Sequence, residues 1–284
     1  MFYKRLNPII FWMMLVFNVS ILFAQTDTSE YRVKEVIIRA DRPKEEAYVG
    51  PYKQPEWTMH RRFPGTRVYI QVDPGDVEFE QWMEFRVPKS GKSETRLSQE
   101  LEIGLPYRMQ LDLYVNTLHT RDEVNSTLSN REFAAELRWA FANWGEIPGN
   151  PTLYLEYAFA NGYDVIEPKI LLGDELAPGW HWGLNGVYEA TVSGGPTKTE
   201  EFKFTGALSN TLIDQHISLG AAMEWSTETV RDTNMPDEIG HELLIGPSFQ
   251  LRIMNKGHLD IEPLWGVTDE SKRMKTYIVF GWDL

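Results

Sequence analysis

The sequence predicts an all-β fold, an antiparallel transmembrane β-barrel of about 12 strands behind an N-terminal arm. Three observations carry this: a leader built for export, a two-residue hydrophobic period from Asp76 onward, and an aromatic content of ten Trp, twelve Tyr and fourteen Phe.

The first thirty residues place Lys4 and Arg5 before an apolar run from Ile9 to Ala24, and polar residues follow from Gln25. That order is a secretory signal, expected to span residues 1–24 and to be removed after Ala24. The alternative is a single membrane anchor. The chain has no cysteine, so disulfide frameworks, thiolate nucleophiles and cysteine metal sites are excluded. Its net charge is −13, and loss of Lys4 and Arg5 with no acid takes it to −15. An acidic surface of this kind repels nucleic acid, so no nucleic-acid partner is expected.

Residues 25–66 carry scattered prolines and many charges with no clear period, as in DRPKEEAYVGPYKQPEWTMHRRFPG. They read as an extended arm, either a periplasmic tail or a partial plug of the lumen. The barrel is assigned to 67–284.

Beyond Asp76, apolar and polar residues alternate. In DVEFEQWMEFRV, Val77, Phe79, Met83, Phe85 and Val87 share one face, and Glu78, Glu80, Glu84 and Arg86 share the other. In RLSQELEIGL, Leu97, Leu101, Ile103 and Leu105 oppose Arg96, Glu100 and Glu102. After Pro106 and Tyr107, the residues Met109, Leu111, Leu113 and Val115 oppose Arg108, Gln110, Asp112 and Asn116. A helix would spread these acids over every face, so strands are expected. The same rhythm recurs at 133–141, 153–159, 166–172, 180–188, 202–208, 213–225, 243–253, 259–265 and 277–284, which makes twelve strands. If the first strand runs outward, the long breaks HTRDEVNSTLSN and TETVRDTNMPDEIG fall at the outer end, and LPY and MNKG fall at the periplasmic end. NWGEIPGNP is a long break on the wrong side.

Alternation alone does not say which face is inside. A soluble barrel would put the apolar face inward, and a membrane barrel turns it to lipid. The export leader favours the membrane version, as do aromatic residues near strand ends, Trp180, Trp182, Trp225, Trp265, Trp282 and Phe141. So does the closing TYIVFGWDL. Its Ile278, Phe280, Trp282 and Leu284 form an apolar stripe that resembles the C-terminal assembly signal of Gram-negative outer-membrane barrels, with Leu where an aromatic is usual. The expected location is the cell outer membrane, and the expected partners are outer-membrane lipid and the barrel-assembly machinery.

RLSQELEIGLPYRMQLDLY, WGEIPGNPTLYLEYAF, ELAPGWHWGLNGVYEA and LDIEPLWGVTDESK together resemble a family of exported barrels of the transporter type, loosely similar to barrels associated with meta-pathway phenol degradation. The resemblance implies an outer-membrane barrel with a transport role. It brings no substrate-binding residue.

With the charged face inward, the candidate lumen residues are Glu78, Glu80, Glu100, Glu102, Arg108, Asp112, Glu136, Arg138, Glu156, Glu189, Asp260 and Glu262. Acids outnumber bases on this face. An open lumen would therefore attract cations, whereas paired acids and bases would fill it. His181 and Asn185 share a strand face, but no serine accompanies them in a hydrolase pattern, and no compact His/Asp/Glu spacing suggests a metal. No enzyme activity, cofactor or metal is expected. The expected function is passive passage of an unidentified small solute. The alternatives are a closed structural or adhesive barrel whose loops bind a partner, and a secreted soluble β-protein holding a ligand inside.

Overall fold

The computed structural model describes residues 42–284 apart from 61, 122–125, 161, 196, 233–234 and 255, so the leader and residues 25–41 of the arm lie outside the described residues. Two short strands, β1 (Tyr48–Val49) and β2 (Gln54–Pro55), pair with each other. Twelve long strands follow: β3 (Val77–Val87), β4 (Ser93–Leu105), β5 (Met109–Arg121), β6 (Ser126–Ala140), β7 (Thr152–Ala160), β8 (Tyr163–Ala177), β9 (Trp180–Gly194), β10 (Thr197–Ile213), β11 (Ile217–Asp232), β12 (Met235–Ile253), β13 (Gly257–Gly266) and β14 (Met274–Asp283). Each pairs antiparallel with its neighbours in the chain, and β14 pairs with β3 to close the barrel. Closure satisfies both edge ladders, which a membrane interior requires because lipid offers no hydrogen bonds.

All twelve expected strands are present, one for one. The period-two pattern has the inverted sense: Glu80, Glu102, Asp112 and Arg138 are fully buried inside, while Phe133, Leu137, Leu155, Phe204, Leu208 and Trp225 are exposed outside. Two aromatic rings bound this exterior. Trp139, Phe141, Trp180 and Trp282 lie toward the end where β3 begins, and Phe133, Phe159, Phe202, Trp225 and Trp265 lie toward the other. Phe133 and Phe141 are eight residues apart on one exterior face. That is about 27 Å along the strand, or roughly 20 Å of height at the usual barrel tilt, close to the apolar band of a membrane barrel. One polar pair interrupts the face: Gln81 stands opposite Gln99 and accepts its amide at 3.0 Å, and the Gln81 amide donates to the Ser98 and Trp82 carbonyls. The pair is satisfied internally, which keeps the cost of facing lipid low.

Two expectations change. The breaks HTRDEVNSTLSN and TETVRDTNMPDEIG are for the most part not loops, since β5 and β6 pair up to Arg121 with Ser126 and β11 and β12 up to Asp232 with Met235. Antiparallel strands keep pairing past the apolar band because the ladder satisfies their backbone groups, whatever the side chains. The barrel also starts at Val77 instead of residue 67, and Arg67 to Val72 belong to the segment before it.

That segment, residues 42–76, is neither a tail nor an extended arm where it is described. It enters the barrel at the end where β3 begins and buries Trp57, Phe63, Val68, Tyr69, Ile70 and Val72. All of these but Val72 join Trp144 of the β6–β7 connection and wall residues such as Leu244 and Leu264 in the main apolar core of the molecule. The misplaced long break thereby finds its reason. The Trp144 ring packs edge-on against Trp57 at 5.7 Å and Tyr69 at 5.4 Å, the Trp144 backbone N–H donates to the Tyr52 carbonyl at 3.0 Å, and the Tyr69 hydroxyl donates to the Ala142 carbonyl at 2.8 Å.

Candidate functional site: a plugged and charged lumen

Strand register lines up one acid per strand across half the barrel. Asp283 on β14 faces Glu78 on β3, then Glu102, Asp112, Glu136, Glu156 and Glu167 follow on β4 to β8, each the register partner of the last. Like charges directly opposite destabilise a sheet, so such a belt needs compensation.

Two arginines supply it. Arg138, on the wall at β6, has its guanidinium fully buried, donates to Asp112 Oδ2 at 2.7 Å and to Glu136, and lies 3.6 Å from Glu102. Arg67 comes from the plug. Its guanidinium lies 3.2 Å from Glu100, 3.4 Å from Glu102 and 3.6 Å from Glu136, donates to the Tyr114 hydroxyl at 2.9 Å, and sits over the Trp82 ring at 5.3 Å. The planar fork suits such a cage of carboxylates better than an ammonium would.

The plug backbone is held by amide side chains of the wall. Asn185 accepts the Arg67 N–H at 2.7 Å and donates to the Arg67 carbonyl at 2.7 Å. Gln110 accepts the N–H groups of Gln71 and Val72 at 2.7 and 3.2 Å, and Gln71 Oε1 accepts from Arg138 at 2.9 Å. Lower down, Arg62 pairs with Glu45 at 2.8 Å and donates to Ser218, and Glu56 accepts from Arg252 at 2.7 Å. His181 and Asn185 both face the plug, Asn185 through the Arg67 backbone. The His181 ring stacks on Trp57 at 4.5 Å, so both residues serve as seats for the plug.

Wall glycines make room. A methyl group on Gly173 would lie 2.4 Å from Val68, and one on Gly183 would lie 2.8 Å from it. Gly104 is tighter, since a methyl group there would lie 1.9 Å from the Asp73 carbonyl oxygen, with the backbones hydrogen-bonded as Gly75 to Gly104 at 3.0 Å and Gly104 to Asp76 at 3.1 Å. Gly104→Ala should cost about 1–3 kcal/mol, the usual penalty of overpacking. The expected result is faster proteolysis between residues 70 and 76 in a barrel that keeps its heat-modifiable gel migration.

Above the plug the lumen opens into a cavity of about 700 Å³ whose floor is Pro64, Gly65 and Arg67. Nine glutamates and seven basic residues line it, far nearer balance than the whole interior face suggests. Most are paired: Lys275 with Glu224 at 2.8 Å and Glu84 at 3.3 Å, Lys203 with Glu201 at 2.9 Å, Lys272 with Glu242 at 2.7 Å, and Arg96 with Glu132.

Of the expected lumen residues, Glu156 and Glu189 line this cavity. Glu78, Glu80, Glu100, Glu102, Asp112, Glu136, Arg138, Asp260 and Glu262 are buried around the plug. Arg108 is a correction: it stands in the turn before β5 with φ 61°, and its Nε donates to the Ala140 carbonyl at 3.2 Å, outside the alternating wall. The strand begins one residue later than the pattern suggested. Ile278, Phe280, Trp282 and Leu284 keep the outward phase, with Val279 and Gly281 buried inside. His60, on the plug, is buried beside Arg252, His258 and Arg62; burial first, then those positive neighbours, hold its imidazole well below its ordinary value.

No protein-family model matches the chain, and no curated protein matches its sequence. Solved structures do match in shape. The COG4313 outer membrane channel from Pseudomonas putida F1 superposes with a TM-score of 0.59 at 9% identity, over 76% of this chain and 98% of that one. The NanC porin gives 0.48 at 12% identity over 72% and 97%, and the KdgM porin in complex with disordered oligogalacturonate gives 0.47 at 7% over 73% and 99%. Closed register, lipid-suited exterior, charged interior and the fold shared with the COG4313 channel agree that the chain is a twelve-stranded antiparallel β-barrel of the outer-membrane type.

Proposed function

We propose that the barrel is a passive conduit for a small polar solute and that residues 42–76 are its gate. The observation that carries this reading is the division of the lumen: a charged cavity of about 700 Å³ on one side, and on the other a plug hydrogen-bonded to the wall through polar and ionic contacts. A purely structural filling would need no cavity. A segment held by exchangeable hydrogen bonds and ion pairs is one that can be released. The cavity is of a size that holds small ligands, and its near-balanced lining favours zwitterionic or weakly charged solutes over the cations expected from the whole acidic face. Glu100 and Glu102 act in this reading as the clamp for Arg67 and not as a filter.

Planar-bilayer recordings test it. Full-length protein should pass little current, and a chain lacking residues 42–76 should pass steady current with weak ion selectivity. Equal, near-zero currents from both would favour the closed adhesive barrel instead.

A further inference from the structure

The acidic belt is compensated unevenly. Arg67 and Arg138 neutralise its middle and Lys169 its far end, where it lies 2.5 Å from Glu167. At the Asp283–Glu78 end, no lysine or arginine among the described residues is within salt-bridge distance of either carboxylate. Two histidines converge there instead. His258, fully buried on β13, sets Nδ1 against Asp260, while its Nε2 faces Glu78 at 3.0 Å and Glu80 at 3.3 Å. A carboxylate on Nδ1 is the arrangement that fixes the tautomer of a metal-binding imidazole, and Nε2, here hydrogen-bonded to Glu78, is the nitrogen that would turn to an ion.

His60 arrives from the plug. It is 6% exposed, its Nδ1 has no hydrogen-bond partner among the described residues, and its ring centroid is 6.0 Å from that of His258. A ring nitrogen of His60 and carboxylate oxygens of Glu78 and Asp283 all lie within 4.8 Å of one another, as do donor atoms of Glu78, Glu80 and His258, so the two triads share Glu78.

We propose that His60, Glu78 and His258, with Glu80 or Asp283 as a fourth donor, form a divalent-cation site that fastens the plug to the barrel wall. Two imidazole nitrogens with carboxylate oxygens are a donor set for a borderline ion such as Zn²⁺, with four-coordinate bonds of about 2.0–2.2 Å. The ion would add positive charge beside Glu78 and Asp283, which no described lysine or arginine reaches. It would also join strands β3 and β13 to residue 60 of the plug, a connection that no spacing in the sequence announces because the ligands lie far apart in the chain. The site does not depend on whether the barrel conducts.

The test uses full-length protein in detergent, stripped with a chelator and titrated with Zn²⁺ by calorimetry, with Co²⁺ absorbance as a second probe. One ion per chain is expected, with a Co²⁺ spectrum typical of tetrahedral nitrogen and oxygen ligands. His60→Ala and Glu78→Gln should each weaken binding by at least about tenfold, the lower bound for losing even an outer-shell partner. Heat-modifiable migration shows that each variant is folded. If His60→Ala does not fold, His60→Asn keeps the size and polarity. Absence of stoichiometric uptake by wild type would overturn the proposal, and so would equal affinity in a folded His60 variant.

Discussion

Arg67→Ala is expected to unseat the plug while the barrel stays closed. Removing the guanidinium takes away a cation shared by Glu100, Glu102 and Glu136, whose side chains are fully buried, and leaves Arg138 beside Glu102 and Glu136. Breaking a buried ion pair by deleting one partner costs roughly 3–5 kcal/mol, most of it the penalty of stranded charge. The barrel does not share that cost, since its ladders close without the plug. The measurable result is rapid protease cleavage within residues 60–72 and raised bilayer current, with unchanged heat-modifiable migration. Arg67→Lys should fall between, because an ammonium keeps the charge but loses the fork and the stacking over Trp82. Wild-type protease resistance in the alanine variant would show that the plug is held by other contacts.

Trp57→Ala is expected to be as damaging by a different route. The indole is 1% exposed, stacked on His181, edge-on to Trp144, under the Arg62 guanidinium at 5.7 Å, and donates to Glu175 Oε1 at 3.3 Å. Deleting a buried Trp costs about 3–5 kcal/mol. Here it also empties the space between the plug and the β6–β7 connection, so Trp144 should become mobile. Tryptophan fluorescence should shift to the red and denaturant should release the plug before the barrel unfolds. Trp57→Phe, which keeps the stacking but not the N–H donor, should recover most of the loss.

The twelve strands were legible because lipid and a polar interior impose one alternation on every strand, and each hairpin restarts it. The end of β4 and the start of β5 were harder. Arg108 continues the alternation in letters but lies in a turn, and only backbone geometry separates the two. The plug was illegible as structure because residues 42–76 fold against the wall with almost no secondary structure of their own, so no period marks them. Two signals were nevertheless present. Gly104, Gly173 and Gly183 stand at inward positions where a side chain would collide with the plug, and NWGEIPGNP is too long for a simple turn. The acidic belt is visible only with register, because residues from Glu78 to Asp283 become neighbours through barrel closure.

The absence of cysteine allows a direct test of the central claim, that residues 42–76 sit in the lumen and control passage. The hydroxyls of Thr66 on the plug and Thr205 on β10 are 2.9 Å apart, so sulfurs placed there would be close to the disulfide length of about 2.05 Å. Thr66→Cys with Thr205→Cys in the same chain should cross-link on oxidation, and bilayer current should be lower oxidised than reduced. A folded double variant that does not cross-link, or whose oxidised form conducts as freely as a chain lacking residues 42–76, would contradict the account.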